Sequence, residues 1–118
     1  MTHSMRGALF ETWCISEFLK GRFHRALSSN LYFWKDRSGR EVDVIVEQGQ
    51  TLVPVEIKSA QTLASDFFRG LEDWSRVAGR ITTRPWLVYG GSERQSREQA
   101  EVLPWRQIED LVRTVIVG

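Results

Sequence analysis

The spacing of hydrophobic and polar positions changes several times along the chain. Leu9, Phe10, Trp13, Cys14, Ile15, Phe18 and Leu19 recur at helical intervals and form a broad apolar stripe. Ser4 is placed to cap this first helix, which is expected to run to about Lys20 and stop at Gly21. Arg22 to Asn30 has no clear period and reads as either a short helical turn or a loop. Leu31 to Arg37 is rich in aromatic β-formers and predicts a strand, closed by a turn at Ser38-Gly39. Glu41 to Glu47 then alternates, with Val42, Val44 and Val46 on one side and Glu41, Asp43, Ile45 and Glu47 on the other. After a turn at Gln48-Gly49-Gln50, Thr51 to Ser59 alternates again, with Val53, Val55 and Ile57 set against Leu52, Pro54, Glu56 and Lys58. Pro54 lacks an N–H and cannot donate to a neighbouring strand.

Helical spacing returns near Ser65 and Asp66. Phe67, Leu71, Trp74 and either Val77 or Ala78 supply the buried face, and Gly79 ends the helix. Trp86 to Tyr89 is a short apolar strand closed by Gly90 and Gly91. Ser92 to Gln99 is polar and expected as a surface loop, and Glu101 to Leu103 as a short edge strand. Pro104 suits the first turn of a last helix in which Ile108, Leu111, Val112 and Val115 share a face. The order helix, three strands, helix, strand, helix predicts a single α/β domain over residues 1–118. Its sheet is expected to be mixed, four-stranded and flanked by helices. The first three strands would be antiparallel, and a right-handed helical crossover would make the fourth parallel to the third.

Composition narrows the class without naming a chemistry. At 118 residues, with 42% hydrophobic and 26% charged positions, the chain has material for one core without staples. A net charge of +1 gives no general electrostatic case for nucleic acid. Cys14, the single cysteine, excludes an internal disulfide and a cysteine zinc site, and a reducing cytoplasm is the expected compartment. Arg6, Glu11, Glu17 and Lys20 interrupt the opening residues, so no signal peptide is read there. No apolar run approaches the ~20 residues needed to span a membrane. A Gly-x-x-x-x-Gly-Lys phosphate loop is missing, so the chain by itself is not a P-loop ATPase.

The candidate chemistry lies in Glu41-Val42-Asp43 and, twelve residues beyond Asp43, Glu56-Ile57-Lys58. Alternation puts Glu56 and Lys58 on one face. A four-residue connection, Gln48 to Thr51, would set Asp43 directly across from Glu56. A two-residue one, Gln48-Gly49, would set it diagonally, and an odd, unbulged one would put the acids on opposite faces. A shared core of Val42, Val44 and Val46 with Val53, Val55 and Ile57 leaves Asp43, Glu56 and Lys58 together on the other side. Two adjacent carboxylates repel unless a cation lies between them, and hard oxygen ligands suit Mg²⁺ or Mn²⁺. Such an ion lowers the pKa of a bound water and stabilises a phosphodiester leaving group, with Lys58 placing positive charge beside it. Glu11 could complete the site from the first helix. Taken alone, Asp-x12-Glu-x-Lys also fits a salt-bridged outer face, and Glu11 an ordinary exposed helix acid. Glu41 reads either as a further ligand or as the strand's entrance. His3 and His24 lack a ligand partner at helical spacing. Cys14 reads as a small buried hydrophobe, and the tryptophans as core or interface rather than base-stacking platforms, with Trp34 and Trp105 the least settled. Arg37, Arg40, Arg69, Arg76 and Arg80 could meet phosphates but read first as surface arginines.

The phrases Gly7-Ala8-Leu9-Phe10-Glu11-Thr12, Glu17-Phe18-Leu19-Lys20, Leu31-Tyr32-Phe33-Trp34, Glu41-Val42-Asp43-Val44, Pro54-Val55-Glu56-Ile57-Lys58-Ser59, Leu87-Val88-Tyr89-Gly90-Gly91 and Leu103-Pro104-Trp105 cover nearly the whole chain. They resemble an uncharacterised C-terminal domain that follows an AAA-type ATPase domain in prokaryotic proteins. The resemblance implies a restriction-endonuclease-like, PD-(D/E)XK nuclease core of order αβββαβ. It also implies that Asp43 and Glu56 hold Mg²⁺ or Mn²⁺ with help from the Ile57 carbonyl, that Lys58 is catalytic, and that Glu11 supports the metal site. The expected function is a Mg²⁺-dependent nuclease domain hydrolysing DNA. The alternative is a non-catalytic interaction or oligomerisation module for an AAA-type ATPase. The ATPase domain expected before such a domain is not in this sequence, nor is a Gln-x-x-x-Tyr element after Lys58.

Overall fold

The computed structural model describes residues 2–25 and 27–115. Helix α1 (His3–His24) is followed by strands β1 (Leu31–Lys35), β2 (Glu41–Gln48) and β3 (Thr51–Lys58). A 3-10 turn over Ser65–Phe68 leads into α2 (Arg69–Ala78). Strands β4 (Trp86–Tyr89), β5 (Gln95–Ser96) and β6 (Glu101–Pro104) come next, and a 3-10 turn over Trp105–Gln107 runs into α3 (Ile108–Val115). No helix among the described residues is long and apolar enough to cross a membrane.

The fold is α/β with a mixed sheet, but the sheet has six strands, in the order β1-β2-β3-β4-β6-β5, rather than four. β1, β2 and β3 are antiparallel neighbours and β3 is parallel to β4, as expected. The Glu101–Leu103 segment is not an edge: β6 pairs parallel to β4 from Trp86–Glu101 to Tyr89–Pro104. Nor is the polar stretch before it wholly a loop, since Gln95 and Ser96 pair with Val102 and Glu101. A two-residue strand is too short for alternation to show in a sequence.

The outer turns of the helices also differ from expectation. Thr2, not Ser4, caps α1, its hydroxyl accepting from the Met5 N–H at 3.2 Å. The helix continues through Gly21 to His24. An interior glycine weakens a helix by about 1 kcal/mol, and here two contacts hold the final turn: Arg22 Nε donates to the Ser28 carbonyl, and the Leu27 N–H to the Arg22 carbonyl. β1 is shorter than expected because Asp36 leaves the strand and folds the hairpin. Its Oδ1 accepts from the Ser38 N–H, the Ser38 hydroxyl and the Arg40 N–H. Across the 3-10 turn and α2 the buried apolar face is Phe68, Leu71 and Trp74, with Ala78 packed against it, while Phe67 is only partly buried and Val77 is exposed. Pro104 ends β6 instead of opening the last helix, whose four apolar residues are buried as expected.

The sheet separates two cores. On one side α1 and α3 bring Cys14, Phe18, Leu111 and Val115 against Val44, Val46, Val53, Val55 and Ile57. On the other, Phe68, Leu71 and Trp74 pack on Val42, Ile45, Leu87 and Val102. Val42 therefore breaks the alternation that the sequence predicts: it shares the α2 side with Ile45, not the side of Val44 and Val46. The cause is a β-bulge. Tyr32 pairs with Ile45 but Trp34 with Val42, so Asp43 and Val44 together oppose the single residue Phe33.

Candidate functional site

The β2–β3 hairpin sets the register. Gln48 pairs with Thr51, with Gly49 at the tip in the left-handed region (φ 61°). This matches the register expected of the four-residue connection, so counting along both strands brings Asp43 level with Glu56. The paired residues end at Val44 and Val55. Just beyond them the Asp43 carboxylate takes the place of backbone, Oδ2 accepting from the Ile57 N–H at 2.8 Å. The bulge and this opening turn Asp43 into a notch shared with Glu56.

α2 closes the notch. A Cβ on Gly70 would lie 2.2 Å from the Glu41 carbonyl oxygen and 3.0 Å from Glu56 Oε2. Only glycine lets the helix approach this closely, and the approach leaves Glu56 4% exposed. From the other side of the sheet, α1 passes close to the end of β3: a Cβ on Gly7 would lie 3.8 Å from the Ser59 hydroxyl. Glu11, one turn further, reaches the same cleft. Lys58 ends β3, its ammonium 5.4 Å from the centre of the Phe67 ring.

Glu11, Asp43, Glu56, Ile57 and Lys58 thus line one cleft of about 530 Å³. Its walls carry six acids (Glu11, Glu41, Asp43, Glu56, Asp66 and Asp73) against three bases (Arg40, Lys58 and Arg69), so the cleft attracts cations. The electrostatics centre on Glu56. Burial, then hydrogen bonding to Asp43 and the Asp43 charge, push its carboxyl up to about 10, with Lys58 opposing. Burial raises the Glu11 carboxyl too, followed by the charges of Asp43 and Glu41. Glu41 is exposed at the first position of β2, at the strand's entrance.

Among the described residues, no three His, Cys, Asp or Glu side chains gather closely enough to cage a metal. The donor set is a carboxylate pair, which suits an ion that keeps most of its waters. The buried pair also fits such an ion electrostatically, since a divalent cation would offset the burial and the Asp43 charge that together raise the Glu56 carboxyl.

Three features of the cleft are not apparent from the acid pattern. Gly70 interrupts a helical apolar period, and an isolated glycine there is the one sequence sign of close backbone approach. Asp73 is 7% exposed and is paired with Arg40 at 3.5 Å and with Arg76. Arg40 and Arg69 stand at the cleft wall, whereas the sequence reads them as ordinary surface arginines. Cys14 is fully buried, as expected, and its thiol is pushed up to about 12, chiefly by burial. A family model described as Domain of unknown function (DUF4143) matches residues 6–108. No curated protein matches the chain.

Proposed function

The chain belongs to the DUF4143 family, and we propose that it is a Mg²⁺-dependent nuclease domain with a restriction-endonuclease-like core, hydrolysing DNA phosphodiester bonds. The observation that carries this is the convergence of Asp43, Glu56, Lys58 and Glu11 in one acidic cleft, where burial and Asp43 raise the Glu56 carboxyl. The sequence of α1, an antiparallel β1–β2–β3 unit, α2 and a β4 parallel to β3 supports the same core.

In this reading Asp43 and Glu56 hold the ion, together with the Ile57 carbonyl, and the Ile57 N–H fixes Asp43 for the task. Mg²⁺ bound there would neutralise phosphate charge and make a water a better nucleophile. The chain's own contribution is electrostatic. Lys58, steadied over Phe67, holds positive charge where negative charge grows on the phosphoryl oxygens. Glu11 adds negative charge at the lip and helps retain the cation. Arg40, tied to buried Asp73, and Arg69 give the incoming backbone positive contacts in an otherwise repulsive cleft.

The test is cleavage of supercoiled plasmid and of single-stranded DNA with and without Mg²⁺ or Mn²⁺. Wild type should cleave only with metal, and Lys58→Ala should fall by about 10²-fold to 10³-fold while still folding. Undiminished cleavage by Lys58→Ala would remove the assignment. A non-catalytic module of an AAA-type ATPase is favoured by one set of observations: Phe33, Phe23 and Leu9 are 78%, 58% and 55% exposed, which suits contact with a partner chain. Wild type that binds metal without cleaving, yet associates with such an ATPase, would support that role instead.

A further inference from the structure

Trp34 stacks edge-on against Trp74 at 5.6 Å and belongs to the α2-side core. Trp105 is different. It is half-buried, stands in T-shaped contact with Trp13 at 5.4 Å and Phe10 at 6.4 Å, and carries the Arg106 guanidinium 4.9 Å from its ring centre. Trp13 itself is 37% exposed.

These aromatics lie on a continuation of the acidic cleft. Ser59 lines both that cleft and a cavity of about 320 Å³ walled by Arg6, Phe10, Trp13 and Trp105. Gly90 and Trp105 are in turn shared with a cavity of about 550 Å³ bordered by Arg106. The shared walls make one trough. It crosses the carboxyl ends of the parallel strands β3, β4 and β6, since Ser59, Gly90 and Trp105 are the residues directly following them. That end of an α/β sheet is where ligands usually bind.

The chemistry reverses along the trough. Six acids line its first part, but none lines the two cavities beyond Ser59, which hold Arg6 and Arg106. Among the described residues neither arginine has an acidic partner. Exposed indole surface beside guanidinium groups that have no acidic partner suits a polyanion that offers flat, unstacked rings.

We infer that this trough is the track of a single-stranded nucleic acid: Arg6 and Arg106 hold its phosphates, Trp13 and Trp105 stack its bases, and the strand is led to the acids at Asp43 and Glu56. This rests on the proposed nuclease reading and adds the substrate's form. A duplex keeps its bases paired inside and cannot use the indoles, whereas single strands bind through stacking along a positive groove.

The full chain, kept in chelator so that nothing is cleaved, would be titrated against labelled oligothymidylate and oligouridylate of about ten nucleotides and against a duplex of that length. Binding to one or both single strands, well above binding to the duplex, is expected. Trp13→Ala should weaken it about tenfold, and Arg6→Ala and Arg106→Ala should each lower the salt slope by about one. Trp105→Phe, which preserves packing, should weaken binding less than Trp13→Ala, and circular dichroism checks that each variant folds. Equal affinity for the duplex, no single-strand binding, or unchanged binding by Trp13→Ala and Arg6→Ala would overturn the inference. So would a dimer that Trp13→Ala dissolves without affecting oligonucleotide binding. Because binding is read without metal, wild type that binds but never cleaves with Mg²⁺ would sink the nuclease proposal alone.

Discussion

Replacing Glu56 by glutamine should make the metal-free protein more stable at neutral pH. In the unfolded chain this carboxyl titrates near 4.5, and burial beside Asp43 pushes it up to about 10 in the fold. A raised carboxyl pKa means that folding retains a proton. The associated stability is complete below pH 4.5, falls as the unfolded chain begins to ionise, and is gone once pH passes the folded value near 10. Each pH unit in that window removes about 1.4 kcal/mol, so the loss by pH 7 is about 3 kcal/mol. Glutamine has the shape of the protonated acid and does not titrate, so Glu56→Gln should match wild type at pH 4 and exceed it by about 3 kcal/mol at pH 7. For a domain of this size that corresponds to a midpoint shift on the order of 15 °C. Urea unfolding followed by tryptophan fluorescence, in chelator from pH 4 to pH 9, measures it. Mn²⁺ should then narrow the gap, because the ion stabilises only a folded state that can ionise Glu56. A difference independent of pH, or a variant less stable than wild type at pH 7, would refute the reasoning.

Other outcomes follow from the same geometry. Asp43→Asn should abolish the rise in melting temperature that Mg²⁺ or Mn²⁺ gives wild type; an unchanged metal response in differential scanning fluorimetry would move the site elsewhere. Gly70→Ala sets a methyl 2.2 Å from the Glu41 carbonyl oxygen and should destabilise by about 2 kcal/mol or more, a clash that backbone must absorb. Stability at or above that of wild type would show that α2 does not press on the notch. Cys14 should resist thiol reagents until the protein unfolds, because its thiol is both fully buried and held up to about 12. Labelling in native buffer at the rate of a free thiol would contradict that.

The legible parts were those whose period runs long enough to be counted. Val53, Val55 and Ile57 alternate through the centre of the sheet and lie in one core as their spacing requires. The face formed by Ile108, Leu111, Val112 and Val115 was equally plain. Asp43, Glu56, Lys58 and Glu11 could be nominated because their residue types and order are chemically specific, and they share a cleft. The illegible parts were decided by tertiary pairing. β5 has two residues and no period of its own, and β6 has four that suit an edge or an interior position equally well. Val42 was misplaced because alternation assumes an unbroken ladder, and nothing in Glu41-Val42-Asp43-Val44 announces a bulge. Asp73 and Arg40 are far apart in the chain and become partners only once α2 is laid on the sheet.

The bulge, which alternation does not anticipate, makes the site. In a regular ladder Val42 would stay with Val44, and Asp43 would face α2 in line with Glu56, each carboxylate beneath the helix. The extra residue instead places Val42 under α2 as a hydrophobic contact and frees Asp43 to turn toward the opening strand ends, where it accepts from Ile57. The two acids therefore have unlike surroundings. Asp43 is half-exposed and hydrogen-bonded by backbone; Glu56 is buried beneath Gly70. A symmetric pair would divide one proton between equivalent groups, whereas this arrangement assigns it to Glu56. A cation entering the cleft would thus meet Asp43 already fixed by the Ile57 N–H and would displace the proton that burial favours on Glu56. Such an ion should bind more tightly as pH rises, with release of one proton per ion, whichever substrate the cleft receives.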